Sequence, residues 1–216
     1  MTAVTNDALE PEPAEAAALF GDRIDLARRF TDALAEHGEE RGLIGPLEVP
    51  RLWNRHILNS AIAASLFPAG GRVGDVGSGA GLPGLVLAIA RPDIEWILIE
   101  PMERRVAWLT EQSDALGLDN VRVERARAEE AGRYEGFLDA VTARAVSALR
   151  TLIPWTAPLV RDGGELILLK GQNAEREIDA AAKAARKYKL SDVRVEILGE
   201  GEIAEPTRVV RATVRA

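Results

Sequence analysis

The run Arg72-Val-Gly-Asp-Val-Gly-Ser-Gly-Ala-Gly-Leu-Pro-Gly84 constrains the chain more than any other stretch. It reads as a short buried strand, a glycine-rich turn and a helix opened by Pro83. Gly77, Gly79 and Gly81 have no Cβ, so the turn can take positive φ and a ligand can approach its backbone closely. The helix that follows offers unpaired N–H groups. Asp75, one residue before the strand ends, is expected to turn its carboxylate toward whatever fills the crevice. A loop with these properties cradles a nucleotide-like cofactor at the carboxyl end of a first parallel strand.

Two registers overlap in it. Gly79 to Gly84 matches G-x-G-x-x-G, the dinucleotide fingerprint. Asp75 to Gly81 matches the acidic-x-G-x-G-x-G pattern of class I S-adenosylmethionine-dependent methyltransferases. Val73 and Val76 run directly into Gly77, so the dinucleotide match begins one step too late. An acid at the loop entrance also suits a cationic sulfonium better than a pyrophosphate, which it would repel. The methyltransferase register is favoured, with Asp75, Gly77, Ser78 and Gly79 as cofactor-loop residues.

The 216 residues suit one α/β domain with an N-terminal addition. With no cysteine and only His37 and His56 as histidines, no metal site is expected. No apolar run is long enough to span a membrane and the N-terminus lacks a signal-peptide pattern, so a cytoplasmic, soluble protein is expected. Of the net charge of −7, all lies in residues 1–50, which hold 11 acidic and 4 basic side chains. Residues 51–216 balance at 23 of each sign, so the acidic total does not exclude an RNA partner.

Residues 1–13 read as a disordered tail and 14–68 as a helical cap, with helices over about 14–37 and 50–67. The second helix carries Arg55, His56, Asn59 and Ser60, a polar face that either meets solvent and the core or looks into the cofactor crevice. Residues 69–216 read as the cofactor-binding domain. Strands are expected at 72–76, 95–100, 120–124, 137–142 and 164–171, followed by two alternating strands, 192–198 and 207–214, as the edge of a terminal hairpin. Glu100, ending the second strand, is placed to accept hydrogen bonds from ribose hydroxyls. Arg144 and Lys170 arrive at the ends of the fourth and fifth strands. Lys170 reads slightly better as a contact to substrate phosphate or base than as a structural ion pair. The basic cluster Lys183, Arg186, Lys187 and Lys189 reads first as a solvated helix face.

Taken together and in order, Arg55-His-Ile-Leu-Asn-Ser60, the Asp75–Gly84 loop, Arg144-Ala145 and Leu168-Leu-Lys-Gly171 closely resemble the ribosomal RNA small-subunit methyltransferase G family, also called glucose-inhibited division protein B. The likeness runs from about Arg51 to the C-terminus. It departs at Asn59, where the family has an acid, and at Glu40 to Gly45, where the family's W-N-x-x-x-N-L-T segment is not recognisable. The resemblance implies a Rossmann-like, mostly parallel seven-stranded sheet with helices on both faces and an N-terminal cap. It implies methylation of N7 of a guanine in 16S ribosomal RNA, using S-adenosylmethionine, on RNA or an assembling small subunit; separately from the resemblance, a monomer is expected. Gly77, Leu82, Ala128, Glu129 and Arg144 are the cofactor contacts it implies. Guanine N7 carries no proton, so no catalytic base is expected; Lys170, Arg55 and His56 are the candidates for positioning RNA. The competing readings are a methyltransferase acting on a small molecule or protein, an NAD-dependent oxidoreductase, and a non-catalytic RNA-binding module.

Overall fold

The computed structural model describes residues 9–215. Seven strands form one sheet in the order β3-β2-β1-β4-β5-β7-β6. They are β1 (Arg72–Val76), β2 (Glu95–Ile99), β3 (Val121–Glu124), β4 (Leu138–Arg144), β5 (Val160–Lys170), β6 (Leu190–Leu198) and β7 (Thr207–Val214). The first five are parallel; β7 runs antiparallel between β5 and β6. The hairpin is therefore as expected, but only β6 is an edge. β7 is paired on both sides, and Val209, Val210 and Ala212 are buried. Strand order reverses at β1, and Asp75 on β1 stands beside Thr142 on β4, so the carboxyl ends of β1 and β4 frame the crevice where open α/β sheets bind ligands.

Alternation along each strand feeds two cores. On one face Val73, Trp96, Leu98, Ala140 and Ile167 pack with α4 (Gly84–Ala90), α5 (Glu103–Leu116) and the cap. On the other, Ile97, Ile99, Val141 and Leu168 pack under α6 (Leu149–Thr156) and α7 (Ala174–Lys187). Burial on both faces explains why β2 reads as an unbroken apolar run. α5 ends at Gly117, whose φ of +63° is the left-handed position that closes a helix.

The cap contains α1 (Glu15–Phe20), α2 (Ile24–His37) and a second helical stretch. Phe30 and Leu34, four residues apart on α2, are fully buried with Leu52, Trp53, Ile57 and Leu58 in the same core as α4. Each such side chain contributes about 1.5–3 kcal/mol by leaving water. The second stretch is irregular: a 3₁₀ turn at Val49–Arg51, a π turn at Trp53–Leu58, α3 (Asn59–Ala61) and a 3₁₀ turn at Ile62–Leu66. π turns are rare and concentrate at functional sites. Of the expected tail, residues 1–8 lie outside the described residues. Residues 9–13 make defined contacts: Leu9 packs on the core, Glu10 accepts from Asn54 and Glu12 pairs with Arg28.

β5 begins four residues earlier than its apolar run. Leu138 pairs with Val160 and Ala140 with Glu165, so the four residues 161–164 stand opposite the single residue Asp139 and the ladder bulges there by three. Glycines read as breakers in sequence, and here they turn the strand without ending it.

Candidate active site

The loop after β1 turns at Gly77, Gly79 and Gly81, all at positive φ. Gly77 N–H donates to Ile99 O at 2.8 Å, and Gly81 N–H to Ser78 O at 2.7 Å. Ser78 Oγ donates back to Asp75 O, and Trp108 Nε1 on α5 donates to Ala80 O at 3.0 Å. Asp75 does not face the crevice. Its side chain is wholly buried, and Oδ2 accepts the Gly84 N–H at 3.0 Å. The first N–H of α4 needs an acceptor, and strand alternation points position 75 at it. Oδ1, and the neighbouring Thr142 Oγ1, are buried without a partner among the described residues. Burial pushes the Asp75 carboxyl up to about 7.

Glu100 is the carboxylate that the loop uses. It is 1% exposed, and its two oxygens accept the N–H groups of Gly79 and Met102, each at 2.9 Å. Beside it opens a cleft of about 310 Å³ lined by Gly77, Glu100, Met102, Ala128, Glu129 and Trp155, among others. The residues suit an adenosine-bearing cofactor on three counts. The cleft lies in the usual size range of small-molecule sites. Gly77 brings bare backbone to its wall. Each Glu100 oxygen keeps a lone pair beyond its loop hydrogen bond.

A second cleft, of about 830 Å³, adjoins the first, and Ala145 lines both. Arg51, Arg55, Arg144, Lys170 and Arg208 bring five cations to its wall, against the carboxylates Glu48, Glu177 and Glu205. The polar face of the second cap stretch therefore looks into a cleft, since Arg55, His56 and Asn59 all line it. Arg55 pairs with Glu205 at 2.9 Å, and Asn59 Nδ2 donates to Glu205 O, tying the cap to the β6–β7 loop. Lys170 Nζ meets Glu177 Oε2 at 2.8 Å and donates to Ser147 O at 2.9 Å, so the end of β5 carries an ion pair at the wall of this cleft. A lysine delivered by a buried strand needs such partners.

Arg144 pairs with neither Asp75 nor Glu129. It crosses to the cap, donating to Arg55 O, His56 O, His56 Nδ1 and Ser60 Oγ. Burial pulls its guanidinium down to about 10. The same burial, reinforced by the Arg144 charge, pulls His56 down to about 4, leaving a neutral imidazole at physiological pH.

Of the residues expected at the cofactor, Gly77, Glu100, Ala128 and Glu129 share the smaller cleft, and Gly79 is bonded to Glu100. Ser78 and Asp75 are buried beneath the loop, Leu82 packs on the core, and Arg144 lines the larger cleft. Arg55, His56 and Lys170, the residues expected to position RNA, come together in that larger cleft. Sequence reasoning missed Met102, Trp155 and Glu48. Met102 follows Glu100 by two residues, within reach of local reasoning; Trp155 arrives on α6 and Glu48 from the segment before Val49, both distant in sequence and with no local signal. Among the described residues no group of His, Cys, Asp or Glu could hold a metal ion, and no helix is long and apolar enough to cross a membrane.

Residues 23–205 match the family model described as rRNA small subunit methyltransferase G. That match starts well before Arg51, so the likeness includes most of the cap. The chain is 66% identical over 206 residues to a ribosomal RNA small subunit methyltransferase G of Clavibacter michiganensis subsp. michiganensis, covering 95% of this chain and 97% of that one. It is 66% identical over 209 residues to the protein of the same name in Leifsonia xyli subsp. xyli, covering 97% and 99%. A solved S-adenosylmethionine-dependent methyltransferase from Aquifex aeolicus superposes with a TM-score of 0.58 at 17% identity, covering 82% of this chain and 97% of that one, a likeness of fold alone. The chain belongs to the rRNA small subunit methyltransferase G family.

Proposed function

We infer that this chain transfers a methyl group from S-adenosylmethionine to N7 of a guanine in 16S ribosomal RNA, acting as a cytoplasmic monomer. The observation that carries this reading is the meeting of two unlike clefts at Ala145, one cofactor-sized and lined by Glu100, the other larger and rich in arginine. The family membership supports the same substrate.

Gly77, Gly79, Glu100, Ala128 and Glu129 would hold S-adenosylmethionine, with Asp75, Ser78 and Leu82 shaping the loop from below. The sulfonium supplies an electrophilic methyl group. The chain's own task is alignment, because guanine N7 offers a lone pair and carries no proton to remove. No residue need act as base, and His56 already has both ring nitrogens engaged. Arg55 and Lys170 would exchange their carboxylate partners for RNA phosphate, which positions the strand without reading sequence. Ala145 and Val146 would separate cofactor from solvent at the junction.

Incubation with methyl-labelled S-adenosylmethionine and small-subunit RNA, free or in subunits, tests the reading. Label in RNA is the expected result. Label transferred only to protein or small molecules, or tighter binding of NAD than of S-adenosylhomocysteine, would move the chain to one of the competing activities.

A further inference from the structure

We infer that Glu48 and His56 are positioning residues that act through Arg144, so that the N-terminal cap fixes the strand end where the two clefts meet. The inference rests on the methyltransferase reading. It begins with donor chemistry: a guanidinium only donates. Arg144 Nη2 lies 2.6 Å from His56 Nδ1, so Nδ1 must be the acceptor. The imidazole proton is then on Nε2, which lies 2.5 Å from Glu48 Oε2 and donates to it. Arg51 holds the other Glu48 oxygen at 2.5 Å. A carboxylate, a neutral imidazole and a guanidinium thus form one chain of hydrogen bonds from the cap to the end of β4.

The rest of the Arg144 environment points the same way. Its remaining acceptors, Arg55 O, His56 O and Ser60 Oγ, lie at 3.1 to 3.3 Å and all belong to the second cap stretch. No carboxylate touches it among the described residues, so its position is set by the cap. The next residue, Ala145, has φ +56°, a left-handed conformation that a side chain disfavours and that persists where its surroundings impose it. Ala145 lines both clefts. A conformation held this way at the junction is where a small displacement is costly to the reaction.

The charged groups facing His56 are Glu48, Arg144 and Arg55, with Arg51 behind Glu48. Protonation of His56 would place an N–H against the Arg144 N–H and break the chain of bonds. Burial keeps that event well below neutral pH.

The test is a double-mutant cycle on the full chain, read as turnover and KM for RNA, with S-adenosylhomocysteine binding as the control for folding. His56→Ala is expected to lower kcat on the order of 10- to 100-fold, the scale of a small misplacement, with little change in KM. His56→Asn, whose Oδ1 can accept where Nδ1 did, is expected to recover most of the loss. In an Arg144→Ala background, His56→Ala is expected to add nothing. Equal costs in both backgrounds, or wild-type turnover in His56→Ala, would overturn the inference. Long-range ¹H–¹⁵N spectra of the wild-type imidazoles give an answer independent of activity, since the chain has two histidines. His56 is expected as the Nε2–H tautomer, and an Nδ1–H tautomer would refute the relay. Absence of RNA methylation by the wild type would instead overturn the methyltransferase reading, leaving the spectrum to judge the relay.

Discussion

Asp75 and Gly84 face each other across the glycine loop: Oδ2 of the buried carboxylate accepts the Gly84 N–H at 3.0 Å. A Cβ on Gly84 would run into that same oxygen. The motif's last glycine is thus required by its first acid. Burial raises the Asp75 carboxyl from 3.8 to about 7. Because the folded value is the higher one, the folded chain binds the extra proton between about pH 4 and pH 7. This group's contribution to stability is therefore greatest at the acid end, declines as pH rises through that window and is flat above it. Asp75→Asn is expected to remove that decline, on the order of a few kcal/mol across the window. Unfolding by denaturant at several pH values compares the two slopes, and an unchanged slope would show that Asp75 ionises normally.

Gly77 and Val146 touch across the mouth of the smaller cleft. A Cβ at Gly77 would lie 2.6 Å from Val146 Cγ2, and the residue has φ +72°. Gly77→Ala is expected to cost about 1–2 kcal/mol for the left-handed backbone alone, lowering Tm by a few degrees, roughly 2–4 °C per kcal/mol at this size. S-adenosylhomocysteine affinity should fall with it. Adding Val146→Ala should recover the part due to collision and leave the part due to φ. Complete recovery would mean that the backbone conformation carries no strain.

Glu100 holds two loop N–H groups with one buried carboxylate. Hydrogen bonds to a charged group contribute about 1.5–3 kcal/mol each. Glu100→Ala is expected to weaken S-adenosylhomocysteine binding at least about 10-fold by calorimetry, with Glu100→Gln intermediate because its amide keeps one acceptor. Wild-type affinity in the alanine variant would remove Glu100 from the cofactor site.

Lys170 starts from an ion pair with Glu177. Lys170→Ala should weaken RNA binding and flatten its salt dependence. If two or three of the cleft cations engage phosphate, log Kd against log salt should have a slope of about 1.4–2.1, and the variant about 0.7 less. An unchanged slope and turnover would leave Lys170 a structural residue.

How much of this was legible before the structure depended on the range of each interaction. The glycine turn, the buried strands and Glu100 are specified within a few residues by backbone need and burial. The fold and the smaller cleft follow from them. The direction of Asp75 was not legible, because the competing acceptor demand came from Gly84, nine residues on. The Arg144–His56 contact spans 88 residues and the Arg55–Glu205 pair spans 150, so only tertiary packing shows them. The same holds for β5, where three residues bulge out between Leu138–Val160 and Ala140–Glu165 pairs.

The proposed destination of the methyl group is N7 of a guanine in small-subunit RNA. Small-subunit RNA lacking N7-methylguanine is incubated with the protein and S-adenosylmethionine, reduced with borohydride and cleaved with aniline, which breaks the strand at N7-methylguanosine. One new cleavage site is the expected result. Methylated RNA that does not cleave would place the methyl group on another atom, and RNA left unmethylated by protein that binds S-adenosylhomocysteine would contradict the substrate.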